Sequence, residues 1–210
     1  MKELLKLAEK IEDKNLRNQV INFLKDLRLN SKDFKKYPKE KLENAGSMFV
    51  IPSSGLGPIE RDIINHTVAV TELCIKVTEV FKERYDLTLN KDHLIAASIL
   101  HDVMKSFEYK RDKMGELEPT GIMLDHSMLG VAELYKRDFP EKVIHIVASH
   151  IGEGGPTPPR SFEAVIFHHL DSLASIIEYY HGGKKKMDQQ IFFLTEEEVK
   201  KLGEKTEKSE

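Results

Sequence analysis

The sequence predicts an all-α protein, a bundle of helices. Apolar residues recur every three to four positions through residues 1–29, 59–85, 91–105, 126–150 and 161–181. Residues that cap helix N-termini, Asn90, Asp125 and Ser161, stand directly ahead of three of these stretches. Gly, Pro and Ser cluster between the stretches, where they break regular structure.

In the first 29 residues, Leu4, Leu7, Ala8 and Ile11 form one stripe. Leu16, Val20, Phe23, Leu24 and Leu27 form another, with Asp13 or Asn15 as its cap. The expectation is a helical hairpin packed on the main body. Residues 30–60 hold Pro38, Gly46, Pro52, Gly55, Gly57 and Pro58 and read as a long loop, anchored by Leu42, Met48, Phe49 and Leu56. A lid and an ordered connector are equally open readings of that loop.

A strong helix is expected over residues 59–85. His66, Val70, Leu73, Val77 and Phe81 share a face, so His66 lies on the apolar side. Residues 91–105 form the central helix, whose apolar run Leu94 to Leu100 ends on His101-Asp102. Lys105 follows four residues after His101 and three after Asp102, spacings that put the lysine beside both on a helix. Residues 106–124, with Gly115, Pro119 and Gly121, read as a loop crossing the mouth of a site.

Asp125 caps the next helix and places His126 in its first turn. Pro140 opens another, on which Val143, Val147 and His150 share a face while His145 points elsewhere. The run Gly152 to Arg160 cannot be regular helix. Its glycines, Gly154 among them, would let backbone amides approach a phosphate, and Arg160 would grip an anion; a stiff connector is an equally good reading. Ser161 then caps the last core helix, with Ala164, His168, Asp171, Ser175 and Glu178 on one face. The chain changes character after Gly182-Gly183. A basic turn at Lys184-Lys185-Lys186, an apolar run Gln190 to Leu194, a capping box at Thr195-Glu196-Glu197-Glu198 and a polar tail from Glu204 follow. The organisation is therefore an N-terminal part, 1–58, packed on a core, 59–181, with a C-terminal appendage, 182–210.

Hydrophobic content of 40%, charged content of 32% and a net charge of −3 describe a globular protein with no global field for nucleic acid. The single cysteine, Cys74, excludes an intrachain disulfide and reads as a small buried hydrophobe. No signal peptide or membrane span is visible, and the expected compartment is the cytoplasm, with no membrane partner.

A His-Asp dipeptide alone is a weak signal. Its company strengthens it: His66, His126, His150 and Asp171 also fall at helix ends or on helix faces, and imidazole and carboxylate are the groups that hold zinc, manganese or iron. Asp171, set in an apolar helix, needs a partner, because an unpaired buried carboxylate is costly. His168, one turn earlier, could orient a ligand from behind. No Ser-His-Asp arrangement or phosphate-binding P-loop is present.

The order His66, His101-Asp102, Asp171 resembles the HD superfamily of metal-dependent phosphohydrolases, and His126 and His150 resemble its two-metal branch. Ser149-His150-Ile151-Gly152 through Pro156, with His168-His169-Leu170-Asp171 and Asp125-His126, looks like the HD domain of bacterial 3′–5′ exoribonucleases. The resemblance implies that His66, His101, Asp102 and Asp171 hold one metal and that Asp102 bridges to a second held by His126 and His150. It implies two divalent ions, drawn from manganese, iron, cobalt, nickel, zinc or magnesium. The implied reaction is attack of metal-activated hydroxide on a phosphate ester, with Asp102 and Lys105 catalytic and Lys105 facing the phosphate. The expected substrate is a phosphorylated small molecule: a nucleotide, cyclic nucleotide or short oligonucleotide. Two features depart from those exonucleases: the N-terminus is helical rather than a nucleic-acid-binding barrel, and one histidine stands where some relatives have two. The alternative is a nucleotide-binding or sensing module of the same fold without turnover.

Overall fold

The structure is a computed structural model that describes residues 1–51 and 54–192, with side chains described through Gly183. The described residues contain seven α-helices and two small hairpins, so the fold is mostly helical, as the periodicity predicts. The expected capping box at Thr195-Glu196-Glu197-Glu198 and the polar tail lie outside the described residues, as does the end of the apolar run, Phe193-Leu194.

Helices α1 (Lys2–Ala8) and α2 (Lys14–Lys25) form the N-terminal pair. Asp13 caps α2 through the backbone N–H groups of Asn15 and Leu16. The turn between the two helices is fastened to the core: the Asp92 carboxylate accepts the N–H groups of Glu12 and Asp13 at 2.9 and 2.8 Å. Leu4, Ile11, Val20 and Phe23 complete the same buried core as the later helices.

Residues 30–60 are more ordered than a loop. Short 3₁₀ turns at Lys32–Phe34 and Leu42–Asn44 lead into strand β1 (Gly46–Phe49), which pairs antiparallel with β2 (Ile59–Asp62). The expected helix over 59–85 therefore starts later, at Ile63. Ile59 and Arg61 are buried and Glu60 and Asp62 exposed, a period of two that suits a strand, and Asp62 then caps Asn65. The hairpin leans on the middle of the last helix, where the Tyr179 hydroxyl donates to Gly57 O at 2.6 Å.

Helix α3 (Ile63–Tyr85) ends on Asp86 in the left-handed conformation. Helix α4 (Lys91–Leu100) is capped by Asn90, and all seven residues from Leu94 to Leu100 are buried. A helix that is apolar all round belongs inside, and α4 packs against α1, α2, α3, α6 and α7. After Leu100 the winding tightens into a 3₁₀ segment at Val103–Phe107. The expected loop over 106–124 holds a second hairpin, β3 (Tyr109–Arg111) with β4 (Leu117–Pro119), closed by a turn in which Gly115 has φ +86°.

Helices α5 (His126–Lys136) and α6 (Glu141–Ala148) pack together, with Asp125 capping α5. Helix α7 (Phe162–Phe192) brings Asp171 and Glu178, two turns apart on one face, against His66. It continues across Gly182 and Gly183, where composition suggested a boundary. The glycines serve packing there: a Cβ at Gly183 would lie 2.5 Å from Leu56 Cδ1. No helix among the described residues is long and apolar enough to cross a membrane.

Candidate metal centre

Five helices and their ends deliver the polar cluster. His66 comes from the first turn of α3 and His101 from the end of α4, with Asp102 beside it. His126 opens α5, His150 follows α6, and Asp171 lies in the first half of α7. Nearly all of this is buried: His66, His101 and Asp102 are at most 1% exposed.

The donors form two sets that share Asp102. On one side, His66 Nε2 and His101 Nε2 stand 3.7 and 3.5 Å from Asp102 Oδ2, and Asp171 Oδ1 is 2.9 and 3.8 Å from the same two nitrogens. On the other, His126 Nε2 is 3.3 Å from Asp102 Oδ1 and 3.2 Å from His150 Nε2. One carboxylate thus turns one oxygen to each set.

Each imidazole is fixed through its other nitrogen. His101 Nδ1–H donates to Ser98 O and His150 Nδ1–H to Val147 O, both at 2.7 Å. His66 Nδ1–H donates to the Glu178 carboxylate and His126 Nδ1–H to Glu108 Oε1, each at 3.1 Å. With Nδ1 committed as donor, Nε2 is left to accept, the state a metal ligand needs. His168 stands behind this layer: its Nδ1–H donates to His150 O at 2.8 Å, and its ring fills the space above Gly152.

Two cations flank the cluster. Lys105 Nζ lies 2.8 Å from Asp102 Oδ2. Arg61, from β2, lies 3.8 Å from the same oxygen, pairs with Glu178 at 3.0 Å, and rests on the Phe49 ring. Burial works against charge at Asp102, but His101, Lys105, His126 and His66 outweigh it and hold the carboxyl well below its ordinary range. Burial likewise opposes charge at Asp171, and hydrogen bonding from His66 overcomes it, with the same result. Burial favours neutral His66, yet Asp171, Glu178 and Asp102 together outweigh it and raise the imidazole above its ordinary value. Burial pushes His101 down to about 4 and lowers His150, where the neighbouring His126 adds to the effect. Both are ligand-ready near neutral pH. Cys74 is pushed up to about 12 by burial and by Asp171, which makes it an inert thiol.

The residues fit divalent ions. His101 Nε2 and Asp102 Oδ1 are buried and, among the described residues, make no hydrogen bond. Such orphaned groups cost about 1–3 kcal/mol each. A cation in the first donor set would satisfy His101 Nε2, and one in the second would satisfy Asp102 Oδ1.

The six residues singled out as ligands, His66, His101, Asp102, His126, His150 and Asp171, are thus brought together, with Lys105 beside them and His168 behind. Two others lie apart from these contacts. The Arg160 N–H donates to His145 Nε2 at 3.0 Å, and Arg160 lines a groove of about 270 Å³ with Glu141, Lys142, His145 and Ser161, none of them a member of the cluster. Gly154 ends a 3₁₀ turn, and a Cβ placed on it would meet open space. Arg61, Glu108 and Glu178 were not singled out from the sequence. Glu178 was visible on the Asp171 face of α7; Arg61 was hidden by assigning residues 59–62 to a helix.

Comparison with known proteins agrees with this geometry. A family profile described as the HD domain matches residues 63–176. The chain is 41% identical over 180 residues to a dihydroneopterin 2′,3′-cyclic phosphate phosphodiesterase of Methanocaldococcus jannaschii, covering 84% of this chain and 70% of that one. It is 31% identical over 119 residues to the 3′–5′ exoribonuclease YhaM of a Geobacillus species, covering 51% of this chain and 35% of that relative. No solved structure matches significantly. The chain belongs to the HD domain family. It is a metal-dependent phosphohydrolase that acts on a phosphate ester.

Proposed function

We propose that the chain is a phosphodiesterase with a two-metal centre, and that it opens a cyclic phosphate on a small heterocyclic molecule. The observation that carries this reading is the position of Asp102, one oxygen toward His66 and His101 and the other toward His126 and His150. The cyclic-phosphate substrate is taken from the 41% identical relative. Short oligonucleotides come second, because the exoribonuclease match covers about a third of that protein.

In this reading His66, His101, Asp102 and Asp171 hold one ion, and Asp102, His126 and His150 hold the other. Bound divalent ions supply Lewis acidity and lower the pKa of water. The chain supplies the rest. Asp102 fixes the spacing of the two donor sets. Lys105 and Arg61 place positive charge where negative charge gathers on phosphoryl oxygens, and neither needs to reorganise far to do so. Glu178 holds both Arg61 and His66, so the charge and the ligand keep a fixed relation.

The test uses protein loaded with manganese and a substrate panel of dihydroneopterin 2′,3′-cyclic phosphate, 2′,3′-cyclic AMP, bis(p-nitrophenyl) phosphate and p-nitrophenyl phosphate. Diesters are expected to be cleaved with kcat/KM at least tenfold above the monoester. Lys105→Met is expected to lower kcat by about 10²–10³ while leaving metal content at two per chain. Faster cleavage of the monoester would overturn the phosphodiesterase assignment, and one ion per wild-type chain would overturn the two-metal centre.

A further inference from the structure

The 3₁₀ winding after Asp102 has a consequence for the second donor set. In a 3₁₀ helix, side chains three apart eclipse one another. The N–H of Lys105 donates to Asp102 O and that of Glu108 to Lys105 O, both at 3.0 Å. Asp102, Lys105 and Glu108 therefore line one face of a single segment. In an α-helix the sixth residue on would be turned by about 240°, and Glu108 would face away.

Glu108 uses this placement to hold His126 at two points. Its Oε1 accepts the His126 backbone N–H at 2.6 Å and the Nδ1–H at 3.1 Å. The first contact satisfies one of the free N–H groups of α5, next to those of Ser127 and Met128 taken by Asp125. The second fixes the tautomer and turns Nε2 toward Asp102 and His150. Glu108 also carries the start of the β3–β4 hairpin, and its backbone O accepts the Thr120 N–H at 2.8 Å.

We propose that Glu108 is the positioning residue of the second metal subsite: it sets the tautomer and aim of His126, so binding of the second ion depends on it while binding of the first does not. The proposal rests on the two-metal reading. Glu178 plays the matching part for His66, but it is shared with Arg61, so Glu108 gives the cleaner test.

The experiment is manganese titration calorimetry and elemental analysis on wild type, Glu108→Ala and Glu108→Gln, with histidine side-chain ¹⁵N spectra and thermal melts of each. Wild type should bind two ions. Glu108→Ala should weaken the second by about 10–100-fold and leave the first within twofold. It should also lose the Nδ1–H signature of His126. Glu108→Gln, whose amide oxygen can still accept both bonds, should restore the tautomer and most of the affinity. A lower melting temperature for Glu108→Ala with an unchanged His126 tautomer and second-ion affinity would make Glu108 a plain helix-end anchor and overturn the proposal. One ion in the wild type would overturn the two-metal reading itself; two ions in wild type and Glu108→Ala alike, equally tight, would overturn only the role of Glu108.

Discussion

The two donor sets are built differently. His66, His101 and Asp171 come together at the junction of α3, α4 and α7, three helices that contact one another directly. His126 and His150 sit at helix ends, and their aim depends on segments outside any long helix: Glu108 at the end of a 3₁₀ turn, and Gly152 under the His168 ring. The first set is fixed by the core itself. The second is fixed by tethers, so it can be altered without disturbing the core.

The largest expected effect falls on the residue the two halves share. Asp102→Ala should remove both ions and lower turnover on the order of 10³-fold, equivalent to about 4 kcal/mol of barrier; elemental analysis beside initial rates checks both. Retention of two ions would break the idea of a shared ligand. Next, His66→Ala and His126→Ala should part company in the metal-free protein. The first strands Asp171 and Glu178 beside a buried cavity and should cost about 3 kcal/mol. The second should cost about 1 kcal/mol. Urea unfolding in chelator measures both, and equal costs would erase the distinction between core and tether.

A smaller effect sharpens the tether side. Asp125 caps α5 through Ser127 and Met128, so Asp125→Ala should cost about 1 kcal/mol and loosen His126. Second-ion affinity should fall with it, and a purely thermal effect would separate helix-end stability from ligand aim. The smallest concerns a histidine outside both sets. Burial, with the nearby Arg160 charge, lowers His145, and its Nε2 accepts a backbone N–H. A base depressed in the folded state contributes stability that is fully present above its unfolded value near 6.5. That contribution is lost as pH falls from there through the folded value. Between about pH 7 and pH 5 in chelator, the melting temperature of wild type should therefore fall more than that of His145→Gln. Parallel curves would place the pH response outside His145.

The helices were legible because their signals are local. Asn90, Asp125 and Ser161 announce N-termini, and the unbroken apolar run Leu94 to Leu100 announces the buried helix that ends in His101-Asp102. The candidate ligands were legible as a set because each falls at a helix end or on a face that a period of 3.6 can locate. Harder to read were features that depend on a change of winding or on pairing at a distance. Nothing in Val103–Phe107 signals 3₁₀ rather than α, so Glu108 could not be aimed at His126. Arg61 reaches the site only because Ile59–Asp62 pairs with Gly46–Phe49, a partnership across a nine-residue connection that composition does not encode.

The buried thiol of Cys74 gives the chain a clock. The side chain is wholly enclosed on α3, two turns beyond His66, and it is the single cysteine of the sequence. A thiol reagent added to the folded protein can react only when α3 comes away from its neighbours, so the labelling rate counts openings of the helix that carries His66. An ion bound by His66, His101 and Asp171, as proposed above, would have to be given up for that to happen. The rate should therefore slow with each increment of metal, and the dependence would report occupancy of the inner half of the site in a protein with no chromophore at its centre.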